Sequence, residues 1–126
     1  MIKALEAVLI GSEDAGKLAK FYKETVGLKQ TMEMELGEEG QKGYDFELEG
    51  ANLYILDHSD VKGKSKDPSR VMFNLEVDDI EKETKRLKDA GVKMVQDVYH
   101  VEGYGLITTF QDPDGNYFQF VQVRAS

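Results

Sequence analysis

The sequence predicts an α+β domain made of two strand-helix-strand-strand-strand (βαβββ) repeats, with a curved sheet around a cavity and the helices outside. Short apolar runs predict the strands, and two amphipathic stretches predict the helices. The spacing of matching glycines indicates the repeat, since Gly27 and Gly91 lie 64 residues apart. Gly50 and Gly115 lie 65 residues apart, so both halves keep nearly the same register. A single unit would leave one sheet face bare, and pairing two units closes a half-barrel.

The first half begins with a short apolar run. Residues 3–10 are rich in Val, Leu and Ile, which favours a buried strand over so short a helix. Ser12 is a candidate helix cap, and residues 13–25 carry one apolar stripe before Gly27 ends the helix. Three further strands are predicted in this half, over residues 29–36, 43–48 and 51–56.

A polar connector, residues 58–69, separates the halves, because it has no apolar period and is rich in Lys, Gly and Ser. The pattern then restarts with a strand at 70–77. Asp78, with Glu81 three residues on, resembles a capping box for a helix that ends at Gly91. Three strands complete this half, over residues 93–99, 106–111 and 116–123.

Length and charge limit the classes of function. The chain of 126 residues has room for one domain, 1–126, with repeats at about 1–57 and 70–126. Asp and Glu number 24 against 16 Lys and Arg, and the resulting charge of −8 argues against nucleic-acid and membrane partners. Cysteine is absent, which excludes a disulfide framework and a thiolate zinc site. With no visible signal peptide, we expect a cytoplasmic protein.

A tight turn near the C-terminus feeds a strand with two distinct faces. In the turn, residues 112–116 (DPDGN), proline presets one backbone angle, glycine permits a positive one, and aspartates can bond the amides. Phe118 and Phe120 then share one face of the strand, and Gln119 lies on the other. This turn and strand resemble the closing motif of the vicinal-oxygen-chelate superfamily, the glyoxalase, bleomycin-resistance and extradiol-dioxygenase group.

The resemblance implies a metal site that takes one inward residue from the first and last strand of each half. In this sequence those positions fall on Glu6, Tyr54, Met72 and Gln119. Alternation along the first strand assigns Leu5, Ala7 and Leu9 to the core and turns Glu6, Val8 and Ile10 toward the cavity. In the strand that opens the second half, the residues assigned to the core are Val71, Phe73, Leu75 and Val77, and those turned inward are Met72, Asn74 and Glu76.

The four positions carry a poor set of metal donors. The family's usual histidines are missing there, and the residue at the Gln119 position is usually glutamate. Only Glu6 is a strong ligand for Mn, Ni, Fe or Zn, while Gln119 offers a neutral carbonyl oxygen. We therefore favour no cofactor, with Glu6 and Gln119 as weak candidates should a divalent metal bind. The two histidines, His58 and His100, lie outside the expected ring, and His100 precedes a glycine-flanked loop that could act as a flap.

A few polar side chains among mainly apolar ones are typical of the lining of a small-molecule cavity. The candidate ligand-binding residues are Glu6, Tyr54, Met72, Asn74, Glu76, Tyr117 and Gln119. We interpret the protein as a bleomycin-resistance-like or glyoxalase-like binder of an aromatic or amphipathic organic molecule without an ordinary metal site. The alternative is a metal-dependent glyoxalase-like lyase, isomerase or dioxygenase, with Glu6 as candidate catalytic residue. The resemblance also implies a homodimer.

Each candidate also has a structural interpretation. Glu6 could be a solvated residue at a strand edge. Met72 could fill a gap in the pocket wall, and Tyr54 and Tyr117 could pack with a wet hydroxyl. If Glu6 and Glu76 were both inward and close, their repulsion when ionised would raise one pKa, and the pair could attract a cationic ligand group or supply a general base.

Overall fold

One βαβββ pattern occurs twice in the computed structural model, which describes residues 1–124. The first unit is Met1–Gly63, and the second begins at Lys64. The first contains β1 Ala7–Ser12, α1 Ala15–Lys20, a π-helical segment Phe21–Val26, β2 Gln30–Leu36, β3 Gln41–Phe46 and β4 Asn52–Asp57. The second contains β5 Phe73–Glu76, α2 Ile80–Asp89, β6 Lys93–Val101, β7 Gly105–Gln111 and β8 Tyr117–Val123.

Each unit forms one four-stranded sheet with the same topology. The strand orders are β1-β4-β3-β2 and β5-β8-β7-β6, and the first pair in each is parallel while the others are antiparallel. The predicted α+β class with two βαβββ repeats is therefore confirmed. Six predicted strands agree with β2–β4 and β6–β8 to within two residues at either end.

The helix caps differ from those predicted. The side chains of Asp14 and Asp79 each accept a hydrogen bond from the amide three residues later, and these residues cap α1 and α2. The predictions of Ser12 and Asp78 as caps are wrong, because each lies too early in the chain to reach that amide. Ser12 is instead fully buried, and its Oγ accepts from the amide of Asp14 at 3.1 Å.

Each unit buries an apolar core between its sheet and its helix. In the first unit the fully buried large side chains are Leu18, Tyr22, Phe46 and Ile55. In the second unit they are Ile80, Leu87, Phe110 and Phe118. The Phe118 ring centroid lies 6.0 Å from that of Phe110 and 6.1 Å from that of Phe120. Each buried aromatic side chain contributes about 1.5–3 kcal/mol, which makes this cluster a main source of stability in the second unit.

The two faces of β1 are the reverse of those predicted. Val8 and Ile10 pair in register with two buried residues of β4, so they lie on the helix side of the sheet. Leu9 pairs with Tyr54 on the other side and is 62% exposed. Leu5 precedes β1 and is 65% exposed, so neither Leu5 nor Leu9 belongs to the core. Because both faces of this strand carry apolar residues, hydrophobicity could not distinguish them.

Strand β5 is shorter than the predicted strand over residues 70–77. Val71 lies before the strand and is 75% exposed, so its assignment to the core is wrong. Leu75 is buried as predicted. Asn74 pairs in register with Gln119, which places both side chains on the face opposite α2.

The repeat extends to the polar contacts that hold each helix to its sheet. The amide of Ala15 donates to Asp57 Oδ1 at 2.8 Å, and the amide of Ile80 donates to Gln122 Oε1 at 2.8 Å. Both donors and both acceptors are 65 residues apart in the sequence. Asp57 Oδ2 also accepts from the amide of Lys42 at 2.9 Å. One side chain in each unit thus ties the end of a strand to the start of a helix.

The turn before β8 has the fixed structure that its sequence predicts. Asp112 is only 5% exposed, and its Oδ1 accepts from the amides of Asp114 and Asn116, both at 2.9 Å. Its carbonyl accepts from the amide of Gly115 at 3.0 Å. Among residues 1–124, no helix combines the length and the apolar character needed to cross a membrane.

Candidate functional site

An apolar surface covers the side of the first unit's sheet that faces away from α1. Four residues lie side by side across the strands β1, β4, β3 and β2: Leu9, Tyr54, Asp45 and Met32. We call these four residues the central row and this side of the sheet the open face. Because neighbouring strands are about 4.8 Å apart, the central row is about 14 Å long, which is long enough for a fused-ring molecule.

The open face exposes several large apolar side chains to solvent. Leu9 is 62% exposed, Met32 is 54% exposed and Met34 is 37% exposed. Tyr54 lies between Leu9 and Asp45 and is half-buried. Single exposed apolar residues are common, but several on one sheet face mark an interaction surface. The open face is therefore the candidate site.

In the next row along the sheet, neighbouring side chains cover Gly11 and Gly43. A Cβ atom on Gly11 would lie 3.2 Å from the Cβ of His58 and 3.2 Å from a methyl group of Val61. A Cβ atom on Gly43 would lie 3.0 Å from Leu36 and 3.4 Å from Met34. The accessible part of the open face is therefore the central row together with the partly exposed Met34.

Tyr54 is the aromatic and polar centre of the central row. Its hydroxyl donates to Glu6 Oε1 at 3.1 Å. A hydrogen bond with the Asn52 side chain lowers the pKa of Tyr54, but the bond to Glu6, desolvation, and the charges of Glu6 and Asp45 together raise it above the ordinary 10.0. The phenol therefore stays protonated at neutral pH and acts as a hydrogen-bond donor.

Asp45 is the functional candidate that the sequence analysis missed. Its Oδ2 accepts from the Thr31 hydroxyl at 3.2 Å. Its Oδ1 is shielded from solvent and has no hydrogen-bond partner. A shielded carboxylate oxygen without a donor is costly, so such groups are rare in folded proteins. Alternation within β3 does not identify Asp45, because its place in the central row follows from the register of β3 against Tyr54.

Glu6 reaches the site from a different position than predicted. It precedes β1, and the β1 residues on the Tyr54 face are Ala7 and Leu9. The repeat shift of 65 gives the same assignment, because it matches Met72 to Ala7 and not to Glu6. Glu6 is therefore not a residue of the first strand as predicted, but its carboxylate bonds to Tyr54 on the open face, and its role in ligand binding stays a prediction.

The other predicted site residues belong to the second unit: Met72, Asn74, Glu76, Tyr117 and Gln119. Gln119 Nε2 donates to the Thr109 hydroxyl at 2.8 Å. Asn74 Nδ2 donates to the Tyr104 hydroxyl at 3.1 Å, and Tyr104 lies in the glycine-flanked loop that follows His100. The structure thus brings Asn74 and Gln119 together in register, each bonded to a hydroxyl group.

The remaining three residues are exposed or half-buried. Met72 precedes β5 and is 40% exposed. Glu76 is exposed and pairs in register with the buried Val121. Tyr117 is half-buried at the start of β8, where it pairs with Gln111.

The residues present do not fit the divalent metal that the resemblance implies. Within residues 1–124, no group of three or more His, Cys, Asp or Glu side chains lies where it could hold a metal ion. The central row offers leucine, a protonated phenol, a thioether and the Asp45 carboxylate, and the Glu6 carboxylate lies beside the phenol. Mn, Fe, Ni and Zn bind a set with so few strong donors weakly. In the second unit the amide nitrogens of Asn74 and Gln119 donate to hydroxyls, and only their neutral carbonyl oxygens could act as ligands.

Comparison with known proteins supports a superfamily assignment. The family model described as the Glyoxalase/Bleomycin resistance protein/Dioxygenase superfamily matches residues 4–120. No curated protein matches the sequence. An antibiotic binding protein from Streptomyces sp. CB03234, TnmS3, is 23% identical with a TM-score of 0.76, and the match covers 97% of each chain.

Two enzymes are also similar in structure. Glyoxalase I from Leishmania major is 18% identical with a TM-score of 0.75, over 96% of this chain and 87% of that one. A glyoxalase I variant from Zea mays is 20% identical with a TM-score of 0.75, over 98% of this chain but 45% of that one. At such identities the similarity establishes the fold alone.

Proposed function

This chain belongs to the Glyoxalase/Bleomycin resistance protein/Dioxygenase superfamily, and on that premise we propose that it binds a small organic molecule on the open face of the first unit. The ligand is flat, and either aromatic or amphipathic. The observation that carries the proposal is the central row, in which Leu9 and Met32 are more than half exposed on either side of Tyr54 and Asp45. The similarity to TnmS3 supports it, since that protein is described as an antibiotic binding protein.

The energetics of the open face favour a ligand with both an apolar surface and a polar group. A ring system that buries roughly 200 Å² of apolar surface gains about 5 kcal/mol at 25 cal/mol per Å². Association costs at least about 4 kcal/mol in lost translational and rotational freedom. Apolar contact alone therefore gives weak binding, and a polar contact with Tyr54, Glu6 or Asp45 is needed for micromolar affinity.

The alternative function is a metal-dependent glyoxalase-like lyase, isomerase or dioxygenase. The structural similarity to glyoxalase I from Leishmania major and Zea mays is the observation that favours this alternative. The donor chemistry of the central row counts against it, because leucine and methionine occupy positions on either side of Tyr54 and Asp45. Roles in ligand binding for Met72, Asn74, Glu76, Tyr117 and Gln119, and the homodimer, remain predictions.

A melting-shift screen with planar aromatic compounds, run in the presence of chelator, tests the proposal. We expect binders, and we expect Leu9→Gln and Met32→Gln each to weaken their binding at least tenfold, because both remove exposed apolar contact area. Val95→Gln is the matched control, since Val95 is 40% exposed on β6 in the second unit. Binding that survives both open-face variants, or a broad library without a single binder, would contradict the proposal.

A further inference from the structure

We infer that Asp45 makes the open face selective for ligands that carry a cationic hydrogen-bond donor, such as a protonated amine, beside the aromatic ring. This inference rests on the proposed function and names the class of ligand. It starts from the unpaired Oδ1 of Asp45, which has lost contact with water and has gained no donor in its place. A ligand donor at this carboxylate supplies the missing partner.

The repeat provides an internal comparison for this position. Asp45 lies opposite Tyr54 in the first unit, as Thr109 lies opposite Gln119 in the second. In the second unit the two opposed side chains bond to each other at 2.8 Å. In the first unit Tyr54 instead donates to Glu6, and Asp45 keeps one oxygen without a partner. The first unit thus carries a vacant acceptor where the second carries a satisfied pair.

The charges around Tyr54 favour a cation over a neutral donor. Within the described part of the chain, no lysine or arginine forms an ion pair with Glu6 or Asp45, and Lys42 pairs with Glu33 at 3.9 Å. The negative charges of Glu6 and Asp45 both act on the Tyr54 phenol. A cation near Asp45 would also lie close to the Tyr54 ring in the adjacent strand, where the ring face attracts positive charge.

Access to the carboxylate requires little rearrangement. The terminal torsion of an aspartate is broad, so rotation can present either oxygen to a ligand on the open face. Thr31 is exposed, and its hydroxyl can rotate to donate to the Asp45 oxygen that the ligand does not contact. The rest of the ligand then extends along the central row toward Met32 on one side and Leu9 on the other.

The test compares two probes of one shape that differ in charge: naphthylmethylamine, which is protonated at neutral pH, and naphthalenemethanol, which is neutral. The wild-type chain is expected to bind the amine at least tenfold more tightly than the alcohol in calorimetric titrations. Asp45→Asn is expected to abolish this preference, because it removes the negative charge and leaves only a neutral amide oxygen to accept a hydrogen bond. Asp45→Thr, which introduces the residue type of Thr109, provides a second variant suited to a strand.

Glu35→Gln is the charge-matched control, because Glu35 is exposed on β2 and its neighbour in register is Lys42. This variant makes the same change in net charge and is expected to keep the preference for the amine. Equal binding of amine and alcohol by the wild type would overturn the inference and leave the proposed function standing. Persistence of the preference in both Asp45 variants would also overturn it. Failure of the wild type to bind either probe would count against the proposed function itself.

Discussion

A single side chain in the first unit can connect several elements through hydrogen bonds, and Asp57 is the clearest case. Its two carboxylate oxygens accept from the amides of Ala15 and Lys42, which belong to a helix and to a neighbouring strand. Hydrogen bonds to a charged group are stronger than neutral ones, and leaving their amides unpaired adds a further cost. Asp57 therefore holds three elements in place with one side chain.

Replacing Asp57 with alanine should lower the free energy of unfolding by about 2 kcal/mol, since it leaves two backbone amides without their acceptor. Denaturant titration followed by circular dichroism would measure this loss. Asp60→Ala is the control, because Asp60 is exposed three residues further along, and it should change stability by less than about 0.5 kcal/mol. Equal effects of the two substitutions would show that the Asp57 contacts contribute nothing.

The Tyr54 phenol should titrate above its ordinary pKa of 10.0, as the ultraviolet difference between the wild type and Tyr54→Phe would report. The folded chain holds this proton more tightly than the unfolded chain does. The stabilisation from Tyr54 is thus fully present below about pH 10 and is lost as the pH rises above it. Glu6→Gln should lower the pKa of Tyr54, because it removes the negative charge and leaves a neutral amide oxygen as the only acceptor for the phenol. An unchanged titration in Glu6→Gln would argue against the hydrogen bond.

At the scale of elements, the tight connections between strands limit which residues are tolerated. Gly105 begins β7 with φ at +141°, and a Cβ atom there would overlap the carbonyl oxygen of Gln122 in β8. Gly50 has φ at +92°, but a Cβ atom there would meet no atom within 4 Å. The two glycines therefore separate the cost of backbone strain from the cost of a steric clash.

We expect Gly105→Ala to destabilise the chain by at least about 3 kcal/mol, because strain and clash add together. Gly50→Ala should cost only about 1 kcal/mol, the strain alone. Thermal melts of the two variants give both numbers. Similar losses at the two positions would mean that β7 and β8 are not as closely packed as the structure has them.

The sequence predicted those elements that local chemistry decides. Gly27 and Gly91 mark the ends of the helices, and the amides just beyond each helix bond back to its last turn. The faces of β1 were not predictable, because Leu9 is as apolar as Val8 and Ile10, and only the pairing with β4 determines which side is buried. Asp45 was missed for the same reason, since its place in the site depends on the register of β3. Strand register depends on tertiary structure, and the alternation of residues within one strand does not predict it.

For the whole molecule, one topology supports two different surfaces. The face opposite the helix carries Leu9, Tyr54, Asp45 and Met32 in the first unit. At the matching positions the second unit carries Asn74, Gln119, Thr109 and Gln96. The repeat preserves the core, the helix caps and the strand-to-helix bonds, while these rows differ in every residue. Such divergence is expected when the buried layer specifies the fold and the opposite layer is free to acquire a ligand.

The most direct test of metal-independent binding on the open face is a calorimetric titration with a planar aromatic ligand, carried out first in chelator and then with added Mn, Ni, Zn or Fe. We predict one affinity under all these conditions, and a loss of at least tenfold in Leu9→Gln under each of them. Binding that appears only when metal is added, with Leu9→Gln unaffected, would contradict this account and favour the metal-dependent enzyme.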